Sequence, residues 1–215
     1  MTSDAATGRY HHGDLKNALL DAAETLLEEA GLQGFTLRAC ARLAGVSHAA
    51  PKHHFGDVKG LLAGVAERGY ERLVSRLQAA IHPVLGDLDA EMAATTTAYV
   101  AFAEDFPEHF RVMFRADLMD FNAVAPPPVM FETFTELTNV VLRQRGEPEV
   151  SRETLDIGSS PALVNDILLG WCFIHGYAHL KLEGRLMMAE PESHDEHIRL
   201  ASARLGALIR GLQGR

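Results

Sequence analysis

The side chains best equipped for chemistry crowd into one short stretch. Arg38, Arg42, Lys52 and Lys59 face a single acid, Asp57, across residues 36–59, a local excess of three positive charges to which His48, His53 and His54 can add. The chain as a whole is acidic, with a formal net charge of −9. A basic patch on an acidic protein suits a localised contact with nucleic acid, because affinity for a duplex comes largely from neutralising phosphates. A second set, His175, His179 and Glu183, is spaced i, i+4, i+8, which on a helix puts three metal-ligating groups on one face. A histidine in an apolar stripe is more often a hydrogen-bonded core residue. No HExxH pattern, glycine-rich phosphate loop or nucleophile elbow is present in the sequence. The sequence therefore predicts no enzyme, no cofactor and no metal, with a metal-binding helical protein as the alternative. Cys40 and Cys172 lie far apart without a partner motif, which argues against a disulfide framework or a zinc site. Nothing beside Cys172 supplies an activating charge, so its expected place is buried.

These side chains have to be held by helices. After Gly13-Asp14, apolar residues from Leu15 to Ala30 recur at the spacing of one helical face, with Asp14 as the expected N-cap and Gly31 as the stop. A second helix, Leu37 to Ala44, starts from Thr36 and ends at Gly45. Ser47 is expected to cap a third, running to His54 or Phe55 with Pro51 in its first turns. Two short helices joined by a tight glycine-containing turn make a helix-turn-helix. If the third helix enters a major groove, His48, Ala49, Lys52 and His53 face outward, while Val46, Ala50 and Phe55 lock it against its neighbours. Thr36 and Arg38, at the start of the second helix, can hold a phosphate.

Further helices are expected at about 57–80, 88–105, 107–115, 128–145, 161–184 and 194–212, and no strand pattern survives. Ser160-Pro161 opens one of them with a cap before a first-position proline, and Ser193 to Glu196 reads as a capping box. The fold class is thus all-α: an N-terminal three-helix helix-turn-helix head plus a C-terminal helical bundle, about nine helices in total. The expected division is 1–60 for the DNA-binding head and 61–215 for a sensing and dimerisation body. With 215 residues and 47% apolar content, both parts can bury real cores. The polar start, Met1 to Gly8, and the lack of an apolar run of about 18 residues predict a soluble, cytoplasmic protein without a membrane partner.

The run Gly45-Val46-Ser47-His48-Ala49-Ala50-Pro51-Lys52-His53-His54-Phe55-Gly56-Asp57, followed by Leu61-Leu62, resembles the recognition-helix signature of the TetR family of transcriptional regulators. The lead-in Tyr10-His11-His12-Gly13-Asp14-Leu15, with Gly31, Gly34, Phe35 and Thr36, extends the resemblance over the whole head. Two positions depart from the family pattern. Lys52 stands where the family usually has a phosphate-contacting tyrosine, and Val58, followed by Lys59, stands where it usually has a lysine. The departures leave room for an adaptor that keeps the head fold without reading DNA. Trp171-Cys172-Phe173-Ile174-His175-Gly176, continued by Glu183-Gly184-Arg185-Leu186, resembles the body subtype named for its Trp, His and Gly. Pro107 to Phe114 looks like that subtype's short central helix.

The resemblance implies a homodimer that binds a palindromic double-stranded operator, usually as a repressor, and that responds to a small effector. Its DNA-contacting set would be Thr36, Arg38, Ser47, His48, Ala49, Lys52, His53, His54 and Lys59. Large apolar side chains, Met113, Phe114, Phe131, Phe134, Leu137 and Trp171, with His175, are expected to line a cavity suited to a small hydrophobic effector. The helix at 161–184 is apolar on two sides and must pack on two partners. Val164, Ile167 and Leu168, with Leu205, Leu208 and Ile209 of the last helix, which runs on to Leu212, are expected either at a four-helix subunit interface or in a purely internal core.

Overall fold

A computed structural model of the chain describes residues 12–115, 117, 126–156, 158, 160–186 and 193–211. Among them it holds nine α-helices and no strand. The head comprises α1 (His12–Ala30), α2 (Leu37–Leu43) and α3 (Ala50–Phe55), and α4 (Val58–Ile81) leads out of it. The body continues with α5 (Leu88–Asp105), α6 (Pro107–Met113), α7 (Pro128–Arg145), α8 (Pro161–Leu182) and α9 (His194–Gly211). Met1 to Gly8, Tyr10, His11 and Leu212, named above, lie outside the described residues.

Local chemistry sets most of the helix starts. The Thr36 hydroxyl accepts from Ala39 N at 3.1 Å, Asp57 from Gly60 N at 2.9 Å, Asp87 from Ala90 N at 3.1 Å and Ser160 from Leu163 N at 3.3 Å. Each satisfies a backbone donor that the first turn leaves without a helical partner. Two expected starts are corrected. Helix α1 begins at His12 and so already contains Asp14. Helix α3 begins at Ala50, not after Ser47, and no side chain caps it. Pro51 explains the delay: a helix starting after Ser47 would need an N–H at position 51 to bond the Ser47 carbonyl, and proline has none. Ala50 N bonds that carbonyl instead, at 3.0 Å, in a tight turn.

Helix α4 is the axis of the fold. One end packs on α1 and α3, and the rest packs on α5, α6 and α7. Leu61, Leu73 and Leu77 of α4 are sealed from solvent, as are Tyr99 and Phe102 of α5, Phe110 of α6 and Ile198 and Ile209 of α9. Helices α8 and α9 cover the far side of α5. The expected division at residue 60 therefore falls in the first turn of a helix that belongs to both halves. Among the described residues no helix is long and apolar enough to cross a membrane.

Candidate DNA-binding head and ligand cavity

The turn between α2 and α3 is fixed by Gly45, whose φ of 68° lies in the left-handed region that only glycine enters freely. Val46 N bonds Ala41 O at 3.0 Å and Gly45 N bonds Arg42 O at 3.2 Å, the paired bonds that close a helix C-terminus. Cys40, Ala41 and Pro51 are buried where α2 and α3 meet α1 and α4, and burial pushes the Cys40 thiol up to about 11. Phe55 packs half-buried against that core. Thr36, Arg38, Ser47, His48, Ala49, Lys52, His53 and Lys59 are all exposed, with His54 half-buried. Each expected DNA-contacting residue is thus at least partly open to solvent, and Arg38, Lys52 and Lys59 stand clear of the core.

A polar knot ties that head to the body. Glu24 of α1 receives Arg68 Nη1 at 3.1 Å and Arg72 Nη2 at 2.8 Å, both from α4. His109 of α6, buried, places Nε2 at 3.3 Å from the same carboxylate and 2.5 Å from Arg72 Nη1. Burial works against the charged form of Glu24, but the hydrogen bonds from His109, Arg72 and Arg68 outweigh it and bring the group down to about 2. Sequence reasoning missed this knot, because a Glu on an amphipathic helix reads as a solvated charge until its neighbours are known.

A folded-state value below the ordinary one near 4.5 means that Glu24 adds stability above that pH and loses it as pH falls toward 2. Glu24→Gln is expected to cost about 2 kcal/mol at pH 7. The gap from the parent protein should shrink between pH 5 and pH 2 in denaturant titrations. A gap constant across that range would show that the carboxylate is not stabilised by its partners.

Between α4, α5, α7 and α8 lies a cavity of about 420 Å³. Met113, Phe114, Phe131, Phe134, Leu137 and Trp171 are among its walls. His175 is not: it lies behind them, its Nδ1 2.9 Å from the Tyr99 hydroxyl and its ring against Phe110 and Phe114. Burial, with a smaller push from His179, takes His175 down to about 4, so it is neutral at physiological pH. The α4 and α5 walls, including Tyr70, Met92, Thr95 and Tyr99, were absent from the sequence-based set. Their signal was present in α5, where threonines interrupt an apolar helix on a face that proves buried.

Several expectations are corrected here. Ile167 and Leu205, expected at a subunit interface or in an internal core, line the cavity, and Ile209 is fully buried, so these three take the internal place. Val164 is half-buried, and Leu168 and Leu208 are exposed. Cys172, expected to be buried, is exposed on α8. His175 and His179 do adjoin, with ring centroids 4.8 Å apart, but Glu183 pairs with Arg185. Among the described residues no three His, Cys, Asp or Glu side chains gather as a metal site.

Comparison with known proteins agrees with this architecture. Residues 19–65 match the family described as bacterial regulatory proteins, tetR family. Residues 92–205 match the tetracyclin repressor-like C-terminal domain. The HTH-type transcriptional regulator BetI of Burkholderia ambifaria (strain MC40-6) is 34% identical over 108 residues, which is 50% of this chain and 46% of that protein. The chain spans about half the length of the curated relatives it matches. A solved protein of unknown function from Rhodococcus sp. RHA1 superposes with a TM-score of 0.70 at 30% identity, over 93% of this chain and 97% of that one. A TetR variant from Acinetobacter baumannii AYE, solved in complex with minocycline, shares the fold with a TM-score of 0.61 at 16% identity, over 95% of this chain and 99% of that one. The body match alone covers more than half of the sequence and the head match covers the helix-turn-helix; the chain therefore belongs to the TetR family of transcriptional regulators, with α2 and α3 in its DNA-binding motif.

Proposed function

We propose that the protein is a homodimeric repressor that holds a palindromic operator through residues 1–60 and leaves it when residues 61–215 bind a small hydrophobic effector. One observation carries this reading: the exposed cationic surface of the head and the apolar cavity of the body are joined by the single helix α4 and the Glu24–Arg72–His109 knot. Helix α6 holds His109 in that knot and Met113 at the cavity wall, one turn apart. An occupant that displaces Met113 thus pushes on the contact that orients α1. Heads whose separation no longer matches successive major grooves, about 34 Å apart, lose affinity. Minocycline in the Acinetobacter protein is a precedent for a bound small molecule on this fold.

The dimer is proposed to form through the outer faces of α8 and α9. Leu168, Trp171, Leu180, Leu200 and Leu208 each keep at least 40% of their surface exposed, an apolar area that a second copy would cover. Operator contacts are assigned to Thr36, Arg38, Ser47, His48, Ala49, Lys52, His53, His54 and Lys59.

Footprinting on the DNA flanking the protein's own gene, followed by mobility shifts over a range of salt, tests the reading. Lys52→Ala is expected to weaken binding to all duplexes and to lower the salt slope by about 1 per head. An unchanged slope would remove Lys52 from the phosphate contacts. Failure of the parent protein to bind any duplex at low ionic strength would favour the adaptor reading.

A further inference from the structure

We infer that the cavity selects uncharged aromatic molecules poor in hydrogen-bond acceptors and rejects ions of either sign, a conclusion that rests on the cavity being the effector site. Among the described residues its walls hold no Asp, Glu, Lys, Arg or His side chain. The donors that do face it are already committed inside the protein. Thr95 donates to Glu91 O at 2.7 Å, Thr96 to Met92 O at 2.9 Å and Thr133 to Val129 O at 2.9 Å. Tyr70 donates to Met113 O at 3.3 Å, Tyr99 meets His175 Nδ1 at 2.9 Å, and the Trp171 indole N–H turns toward the Tyr99 oxygen.

A ligand carboxylate or phosphate would therefore give up water and gain no donor in exchange, a loss that an ion cannot recover in an apolar enclosure. Aromatic faces by themselves can hold an ammonium group. Among the described residues no carboxylate faces the cavity to assist. Glu91, one turn from Thr95, is tied to Arg143 and to the Gly86 N–H. Phe110, Phe114 and Trp171 pack around His175 behind the wall, yet the ring stays neutral because burial outweighs what those faces offer its charged form. Neutral aromatic surface, by contrast, gains from every wall: seven aromatic rings and three methionines face the cavity.

The test uses the full chain at pH 7 and three probes built on one ring system: naphthalene, 2-naphthoate and (2-naphthylmethyl)trimethylammonium, each followed by isothermal titration. Naphthalene is expected to bind at least about tenfold more tightly than either ion. Thr95→Val, which removes only a hydroxyl already spent on its own helix, should leave the naphthalene Kd within about threefold. Leu137→Trp, which fills the cavity, should abolish binding. An ion that binds as well as naphthalene overturns the inference, and so does naphthalene that fails to bind or binds equally well to the filled variant. Operator mobility shifts with the same probes separate the two readings. An ion that binds and releases DNA would sink the chemical class and leave ligand-responsive regulation standing. Selective naphthalene binding without any change in operator affinity would do the reverse.

Discussion

Gly60→Ala is expected to lower operator affinity on the order of 100-fold, the equivalent of one or two lost base or phosphate contacts at about 1 to 3 kcal/mol each. Gly60 is the third residue of α4, and its N–H is the one that Asp57 caps. A Cβ at this position would lie 1.9 Å from the carbonyl oxygen of Phe55, the last residue of α3. That neighbour is backbone and cannot rotate away. Relief has to come from a shift of α3 against α4, and α3 carries Lys52 and His53. The body, packed around α4 and α5 far from this joint, keeps its core. Circular dichroism should therefore report near-parent helix content, with a stability loss of about 1 to 3 kcal/mol in denaturant titrations. Operator binding within threefold of the parent protein would mean that the α3–α4 junction does not set the pose of the recognition helix.

That junction also marks how far the sequence could be read. Helix spans in the body were legible to within a residue or two, because period 3.6 runs there end at strong punctuation: Ser160-Pro161 opens α8, and Gly146 follows the last residue of α7. The head was legible in its elements and in its exposed cations. Its fine structure was less so, since Ser47 is a good capping residue and only the missing N–H of Pro51, four positions on, disqualifies it. Partner choice was the larger blind spot. Helix α8 is apolar on two sides, and the sequence pattern alone could not say which side meets the chain's own core. Ile167 turned inward to the cavity while Leu168, the next residue, turned out, and Leu205 and Leu208 divide in the same way on α9. The α7 and α8 walls of the cavity were read from large aromatic residues; the α4 and α5 walls were not, because Tyr70 and Thr95 look like ordinary members of a core face. The Glu24 knot and the pair formed by Glu91 and Arg143 were equally hidden. Both join residues more than forty positions apart, and nothing local in the chain announces such a partner.

The Glu91–Arg143 pair leads to the other large expected effect. Glu91 is fully buried; its carboxylate accepts from Gly86 N at 2.6 Å and from Arg143 Nε at 2.5 Å, linking the start of α5 to the end of α7. Arg143 reaches Glu149 at 3.0 Å as well, but its Nη2 is buried without a hydrogen-bond partner among the described residues. Glu91→Ala would leave the guanidinium buried with only the more exposed Glu149 to compensate it. The expected cost is about 3 to 5 kcal/mol. At about 2 to 4 °C per kcal/mol for a chain of this size, Tm should fall by roughly 6 to 20 °C. Removing both charges is a different matter. Glu91→Leu combined with Arg143→Met keeps volume and leaves no ion to desolvate, and exchanges of this kind are often neutral or stabilising. A double-mutant cycle read by calorimetry should therefore give strong coupling, with the double variant well above Glu91→Ala. A double variant no more stable than Glu91→Ala would mean that the bond to Gly86 N, and not the ion pair, is what α5 needs from this glutamate. The pair also lies one helical turn from Thr95, so a folded double variant that still binds a neutral arene would place the energetic role of Glu91 in holding the bundle end and outside the cavity itself.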